Sequence, residues 1–150
     1  MKVRFQKLTS EAITPTKAHP TDAGFDMYAV SREVDSNGNY VYSTGIAMEI
    51  PEGHVGLLFP RSSVSKKNQI QTNCVGVIDS SYRGDIIFKF KPIAGVMKRH
   101  FFGNDCDEIY DKGERIGQLI IMPYPSVELE EADALSDTDR GQGGFGSTGK

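Results

Sequence analysis

The 150-residue sequence has no tryptophan, three histidines and two cysteines. None of its apolar runs approaches the roughly 18 residues needed to cross a bilayer. The N-terminal MKVRFQKL lacks the apolar core of a secretory signal. Basic residues are also short: 17 Lys+Arg stand against 20 Asp+Glu, a formal charge of −3. That balance argues against a generic nucleic-acid coat or a membrane-surface binder, which would need a basic face. It leaves room for a small anionic ligand held by a local group of arginines. Cys74 and Cys106 form no CxxC and have no neighbouring histidine, so they read as reduced thiols of a cytoplasmic protein and not as a zinc site.

Glycine is in excess. There are 16, where a typical share of about 7% predicts roughly 10 or 11. They follow no period of three, which excludes collagen. Alternating apolar segments through most of the chain exclude wholesale disorder. The length suits one domain.

Residues 2–6, 46–50, 86–91 and 127–130 alternate with the period of two expected of half-buried strands. HVGLLF (54–59), CVGVI (74–78) and QLIIM (118–122) suit buried strands. Turn signals separate them at 35–39, 51–53, 82–84, 103–105 and 111–113. A helical turn or two fits around Ser62–Lys67, and no longer helix is indicated. Many short strands imply an all-β, jelly-roll-like barrel or sandwich. The expected division is a β domain over 1–135 and a Gly-rich, flexible C-terminal arm over 136–150. Residues 92–112 are a long mixed link.

Five islands interrupt the strands. AGFDMYA (23–29) carries Asp26, which alone would read as a structural acceptor. GLLFPRSSVSKK (56–67) offers Arg61, Ser62 and Ser63 as an anion nest or, more plainly, a helix cap. NCVGVIDSSYRGD (73–85) reads as a hairpin with Asp79 and Tyr82 near its turn. GERIGQ (113–118) carries Arg115 and Gln118. RGQGGFGSTG (140–149) has hydroxyls, an arginine and one ring, and fits neither phosphate-loop fingerprint in context.

Together, in order and in kind, these islands resemble the five motifs of the homotrimeric dUTP diphosphatases (dUTPases). GVIDSSYRG and RGQGGFGSTG are the most specific strings. The resemblance spans almost the whole chain and implies a jelly-roll-like subunit, a homotrimer with shared active sites, and Mg²⁺-dependent hydrolysis of dUTP to dUMP and pyrophosphate. It implies Asp79 as the carboxylate that activates water, and Tyr82 as the ring under the deoxyribose. Asn73 and the backbone of Gly76, Val77 and Ile78 would read uracil. Arg61, Ser62, Ser63 and Gln118 would contact phosphates. Phe145 would stack on the base, with Arg140, Gly146, Ser147 and Thr148 closing over the triphosphate. Asp26 and Arg115 would form a structural pair behind the site. The ion would be held by substrate phosphates and water, with no direct protein ligand. No nucleic-acid or membrane partner is implied.

The departures are small. Ser63 stands where Gly is common, Gly117 where Ala is, Asp85 where Glu or Asn is, and Phe25 where Tyr is frequent. Two other readings remain open: a dCTP deaminase, with or without triphosphate cleavage, and a nucleotide-sensing interaction protein using the 92–112 link.

Overall fold

A computed structural model describes residues 1–93 and 109–144. Cys106 and most of the 92–112 link, together with Phe145, Gly146, Ser147 and Thr148, lie outside the described residues. Ten strands are described, and the helical content of this part is one five-residue 3-10 segment, Ser62–Lys66. The fold is an all-β, jelly-roll-like sandwich.

Strands β2 (Phe25–Tyr28), β6 (His54–Phe59), β8 (Gly76–Ile78) and β10 (Arg115–Pro123) form one sheet in the order β2-β10-β6-β8. Strands β3 (Ser31–Val34), β4 (Tyr40–Ser43), β7 (Gln69–Gln71) and β9 (Ile87–Pro92) form a second, ordered β3-β4-β9-β7. Strands β1 (Arg4–Lys7) and β5 (Ile46–Glu49) pair separately. All the pairings are antiparallel.

The alternation seen in sequence explains the core. Ile86, Phe88 and Phe90 point inward, as do Ile46, Met48 and Ile50, and they join Met27, Leu58, Ile116 and Leu119 in one cluster. Tyr42, Phe90 and Tyr110 meet edge to face, with centroids 5.5–6.1 Å apart. Such contacts add about 0.5–1.5 kcal/mol per pair beyond burial. Lys67 covers this group, its Nζ 4.8 Å from the Tyr110 centroid. The sheets approach closely at Gly117, where a Cβ would run into the Phe88 ring. That contact accounts for a glycine in the middle of β10.

Three expectations need correction. VELE (127–130) is not a strand: no described strand lies beside it, and Val127 and Leu129 are 69% and 93% exposed. The runs around 74–78 and 118–122 are not wholly buried, since Val77 and Met122 turn outward. The 73–85 island is not a hairpin. β8 pairs with β6, whereas β9 pairs with β4 and β7, so the intervening turn crosses from one sheet to the other.

The crossing has a physical cause. The Asp85 carboxylate accepts from the Ser43 hydroxyl, from Thr44 Oγ1 at 3.3 Å and from Ile46 N at 3.2 Å. Next to it, Ile86 N donates to Ile46 O at 2.9 Å. These bonds draw the chain onto the β4–β5 corner before it can fold back on β8.

Candidate active site

Antiparallel registration assembles the first group of side chains. Gln118 on β10 lies opposite Asp26 on β2 and opposite Phe59 on β6. Two residues past Phe59, Arg61 returns toward the same place. Asp26 binds two guanidinium groups with separate oxygens: Oδ1 to Arg61 Nε at 2.8 Å and Oδ2 to Arg115 Nη1 at 3.1 Å. Its side chain is only 15% exposed, so the carboxylate is well shielded. The Arg61 partnership is one that the sequence did not suggest. Gln118 Nε2 donates to Pro60 O at 3.3 Å, which fixes the turn leading into Arg61. Arg61 Nη1 also reaches Ser63 Oγ at 3.5 Å. Ser62 opens the short 3-10 segment and is exposed.

The second group lies around β8. This strand is the outer member of its sheet, so one row of its backbone N–H and C=O groups has no partner strand among the described residues. Gly76 and Ile78 turn into the core and Val77 outward. Asp79 follows directly and is exposed. A tight turn closes through Tyr82 N to Asp79 O at 3.0 Å. Tyr82 then folds over Gly84, its hydroxyl donating to Asp85 O at 2.9 Å. A Cβ on Gly84 would collide with the Tyr82 hydroxyl and ring, so this residue must be glycine for the ring to lie there. Asn73, exposed, precedes β8 and accepts a bond from Gln71 Nε2 at 3.3 Å.

The two groups do not meet within one chain. Leu58 faces Gly76 and Gly56 faces Ile78, so Asp79 lies toward the start of β6, whereas Arg61 lies beyond its end. At about 3.3 Å per residue, the length of β6 alone separates them by well over 10 Å.

Arg140 is described, exposed and outside any strand. Its Nε donates to Gly143 O at 3.0 Å within a local turn. Asp85, Ser43, Thr44 and Gln71 are the site-supporting residues that the sequence reading missed. Asp85 carried one usable signal, as a carboxylate directly after YRG at a turn.

As for a metal, no cluster of three or more His, Cys, Asp or Glu side chains converges among the described residues. Asp26, the shielded carboxylate here, is already engaged on both oxygens. With both oxygens engaged, Asp26 is placed to hold the two arginines and not a bare cation.

Comparison with known proteins bears on this arrangement. The dUTPase family model matches residues 10–149. A deoxyuridine 5'-triphosphate nucleotidohydrolase from Gloeothece citriformis is 38% identical over 151 residues, covering 99% of this chain and 97% of its own length. The structure of a mutant dUTPase from Staphylococcus bacteriophage 80alpha with dUpNHpp superposes with a TM-score of 0.82 at 32% identity, covering 99% of both chains. A mutant dUTPase from phage phi11 of S. aureus, described with a structural Mg(II) ion, gives a TM-score of 0.72 at 27% identity over 89% of this chain and 98% of its own. With the family match running nearly end to end and a full-length relative at that level of identity, the chain belongs to the dUTPase family.

Proposed function

We propose that the protein hydrolyses dUTP to dUMP and pyrophosphate, with Asp79 activating the attacking water. The observation that carries this reading is the combination at β8: a strand edge with no partner strand among the described residues, an exposed carboxylate at its exit, and the Tyr82 ring folded over Gly84. The edge offers main-chain donors and acceptors of the kind a uracil can pair with. Cytosine reverses donor and acceptor at positions 3 and 4, so it leaves groups unpaired, a mismatch that polar sites reject strongly. Tyr82 lies under the deoxyribose and leaves no space for a 2′-hydroxyl. Water attacks the α-phosphorus, its proton passes to the Asp79 carboxylate, and the bond to the β-phosphate oxygen breaks. An Mg²⁺ ion carried on the substrate phosphates would supply neutralising charge for the leaving pyrophosphate.

Arg61, Ser62, Ser63 and Gln118 supply phosphate contacts, with Asp26 and Arg115 holding Arg61 in place. In phosphoryl transfer such positioning and charge stabilisation carry most of the catalysis. The separation of Arg61 from Asp79 along β6 supports a homotrimer in which these groups come from different subunits. Residues 136–150 act as the arm that closes, with Phe145 on the base and Arg140, Gly146, Ser147 and Thr148 on the phosphates. The reaction would limit uracil in DNA and supply dUMP for thymidylate synthesis, in the cytoplasm. A deaminase reading is not favoured by the family match.

Asp79→Asn is the direct test. It keeps the shape and removes the base, so kcat falls about 10²–10⁴-fold while dUTP still binds. Turnover within a few-fold of the parent refutes the assigned role.

A further inference from the structure

We infer that Gln71 is a positioning residue that sets the donor–acceptor polarity of Asn73, and so biases the site toward a carbonyl at pyrimidine position 4. The inference rests on the proposed reading of Asn73 as a base contact, and adds a cause for its specificity.

Gln71 is 8% exposed, on the inner face of β7, and its Nε2 lies 3.1 Å from Leu58 O on β6, in the opposite sheet. A carbonyl oxygen only accepts, so the Gln71 amide must turn its NH₂ toward Leu58. The same Nε2 lies 3.3 Å from Asn73 Oδ1. Its second hydrogen therefore demands an acceptor, and Asn73 must offer Oδ1 inward. The Asn73 NH₂ is left to face away from Gln71. It leans over Gly76, with Nδ2 only 3.2 Å from where a Cβ on that residue would be. Flipping Asn73 would set NH₂ against NH₂ across a part-buried contact. Gln71 Oε1 is itself buried and without a partner, so the Gln71 amide is held by its NH₂ side alone.

An outward NH₂ fits the carbonyl of uracil at position 4 and opposes the amino group of cytosine. A free Asn73 would turn to suit either base. Gln71, donating to both Leu58 O and Asn73 Oδ1, removes that choice. The sequence hides this relay, because Gln-Ile-Gln places its glutamines inward and Ile70 outward, 55% exposed.

The test compares kcat/KM for dUTP and dCTP in the parent, Gln71→Met, Asn73→Leu and Asn73→Asp, each checked first by thermal melting. Gln71→Met keeps the volume and removes the relay. The ratio of dUTP to dCTP falls about 10- to 100-fold, the scale of one buried hydrogen-bond mismatch. The change appears mainly in KM, because Gln71 does not touch the reacting atoms. A role in folding alone would lower both substrates together and leave the ratio intact. Asn73→Asp keeps an acceptor for Gln71 and turns another outward, shifting preference toward dCTP; being exposed, it serves if Gln71→Met fails to fold. If Asn73→Leu collapses the ratio but Gln71→Met leaves it at the parent value, the relay is overturned while the base reading stands. If Asn73→Leu leaves the ratio unchanged, the base reading of Asn73 fails and takes the relay with it. An unchanged ratio in Asn73→Asp overturns the polarity argument directly.

Discussion

Asp26→Asn sets charge against position at the two guanidinium groups. The carboxylate now gives Oδ1 to Arg61 and Oδ2 to Arg115. Asparagine keeps one acceptor and turns NH₂ toward the other guanidinium. One charge-assisted hydrogen bond is lost, worth about 1.5–3 kcal/mol when shielded. Arg115 is 46% exposed, so a discounted cost of about 1 kcal/mol is the fair figure. For a chain of this length that lowers the melting temperature by about 2–4 °C.

The substitution also makes the site more positive by one charge, which favours a triphosphate. At about 8 Å in water, each phosphate charge gains only about 0.5 kcal/mol. Screening at physiological ionic strength reduces it further, since the Debye length is itself about 8 Å. Against this stands the loss of an oriented Arg61, and removing a fixed donor to a developing oxyanion costs about 2.7–4 kcal/mol. Summed over a triphosphate the charge gain is about 2 kcal/mol before screening and less than about 1 after it, so the loss of the donor outweighs it. Pyrophosphate release should therefore show kcat/KM for dUTP down about tenfold, with a modest change in melting. A rise in kcat/KM that vanishes at high salt would refute the reasoning, because charge and not position would then be deciding.

Other substitutions probe separate parts. Gly84→Ala puts a Cβ into the Tyr82 ring, which is 43% exposed and free to swing away. The fold survives, but kcat/KM for dUTP relative to UTP falls about tenfold, a scale typical of a single lost pocket contact; an unaltered preference removes Tyr82 from sugar recognition. Gly117→Ala drives a Cβ into Phe88, which is 1% exposed, and overpacking of this kind costs about 1–3 kcal/mol. The urea midpoint should fall at constant m-value, and an unmoved midpoint contradicts the close packing described. For pH, hydrogen bonds from the Asn39 side chain and backbone hold Asp35 well below the usual carboxylate range, and Arg4 lowers Glu49. Both groups therefore contribute stability above their ordinary values of 3.8 and 4.5 that is lost as pH falls through the depressed ones. Asp35→Asn should flatten the acid limb of the melting curve below about pH 4, and an acid limb identical to the parent's counts against the turn's role.

Much of the fold was legible because the core strands obey simple patterns. Ile86-Ile-Phe-Lys-Phe and Ile46-Ala-Met-Glu-Ile alternate, and HVGLLF matches β6 residue for residue. β7 escaped notice because its pattern is inverted. Gln69 and Gln71 are buried to bond Tyr42 and Leu58, while Ile70 faces outward. β3 escaped because Ser31–Val34 is exposed at every position. The supposed hairpin at 73–85 failed for a different reason. Its two halves are good strands, but the Asp85 clamp onto Ser43 and Thr44 is a long-range contact that no local pattern announces. In the site, the motifs singled out Asp26, Arg61, Arg115 and Gln118, and the resemblance paired Asp26 with Arg115 alone. That Asp26 binds two arginines at once depends on the β2-β10-β6 order, which periodicity alone does not reveal.

The most direct measurement is pyrophosphate release with Mg²⁺ across dUTP, dCTP, dTTP and UTP, with ammonia followed in parallel. dUMP and pyrophosphate are expected in equal amounts from dUTP, with kcat/KM at least about 100-fold lower for the other three and no ammonia. Comparable turnover of dCTP, or ammonia released from it, would contradict the account.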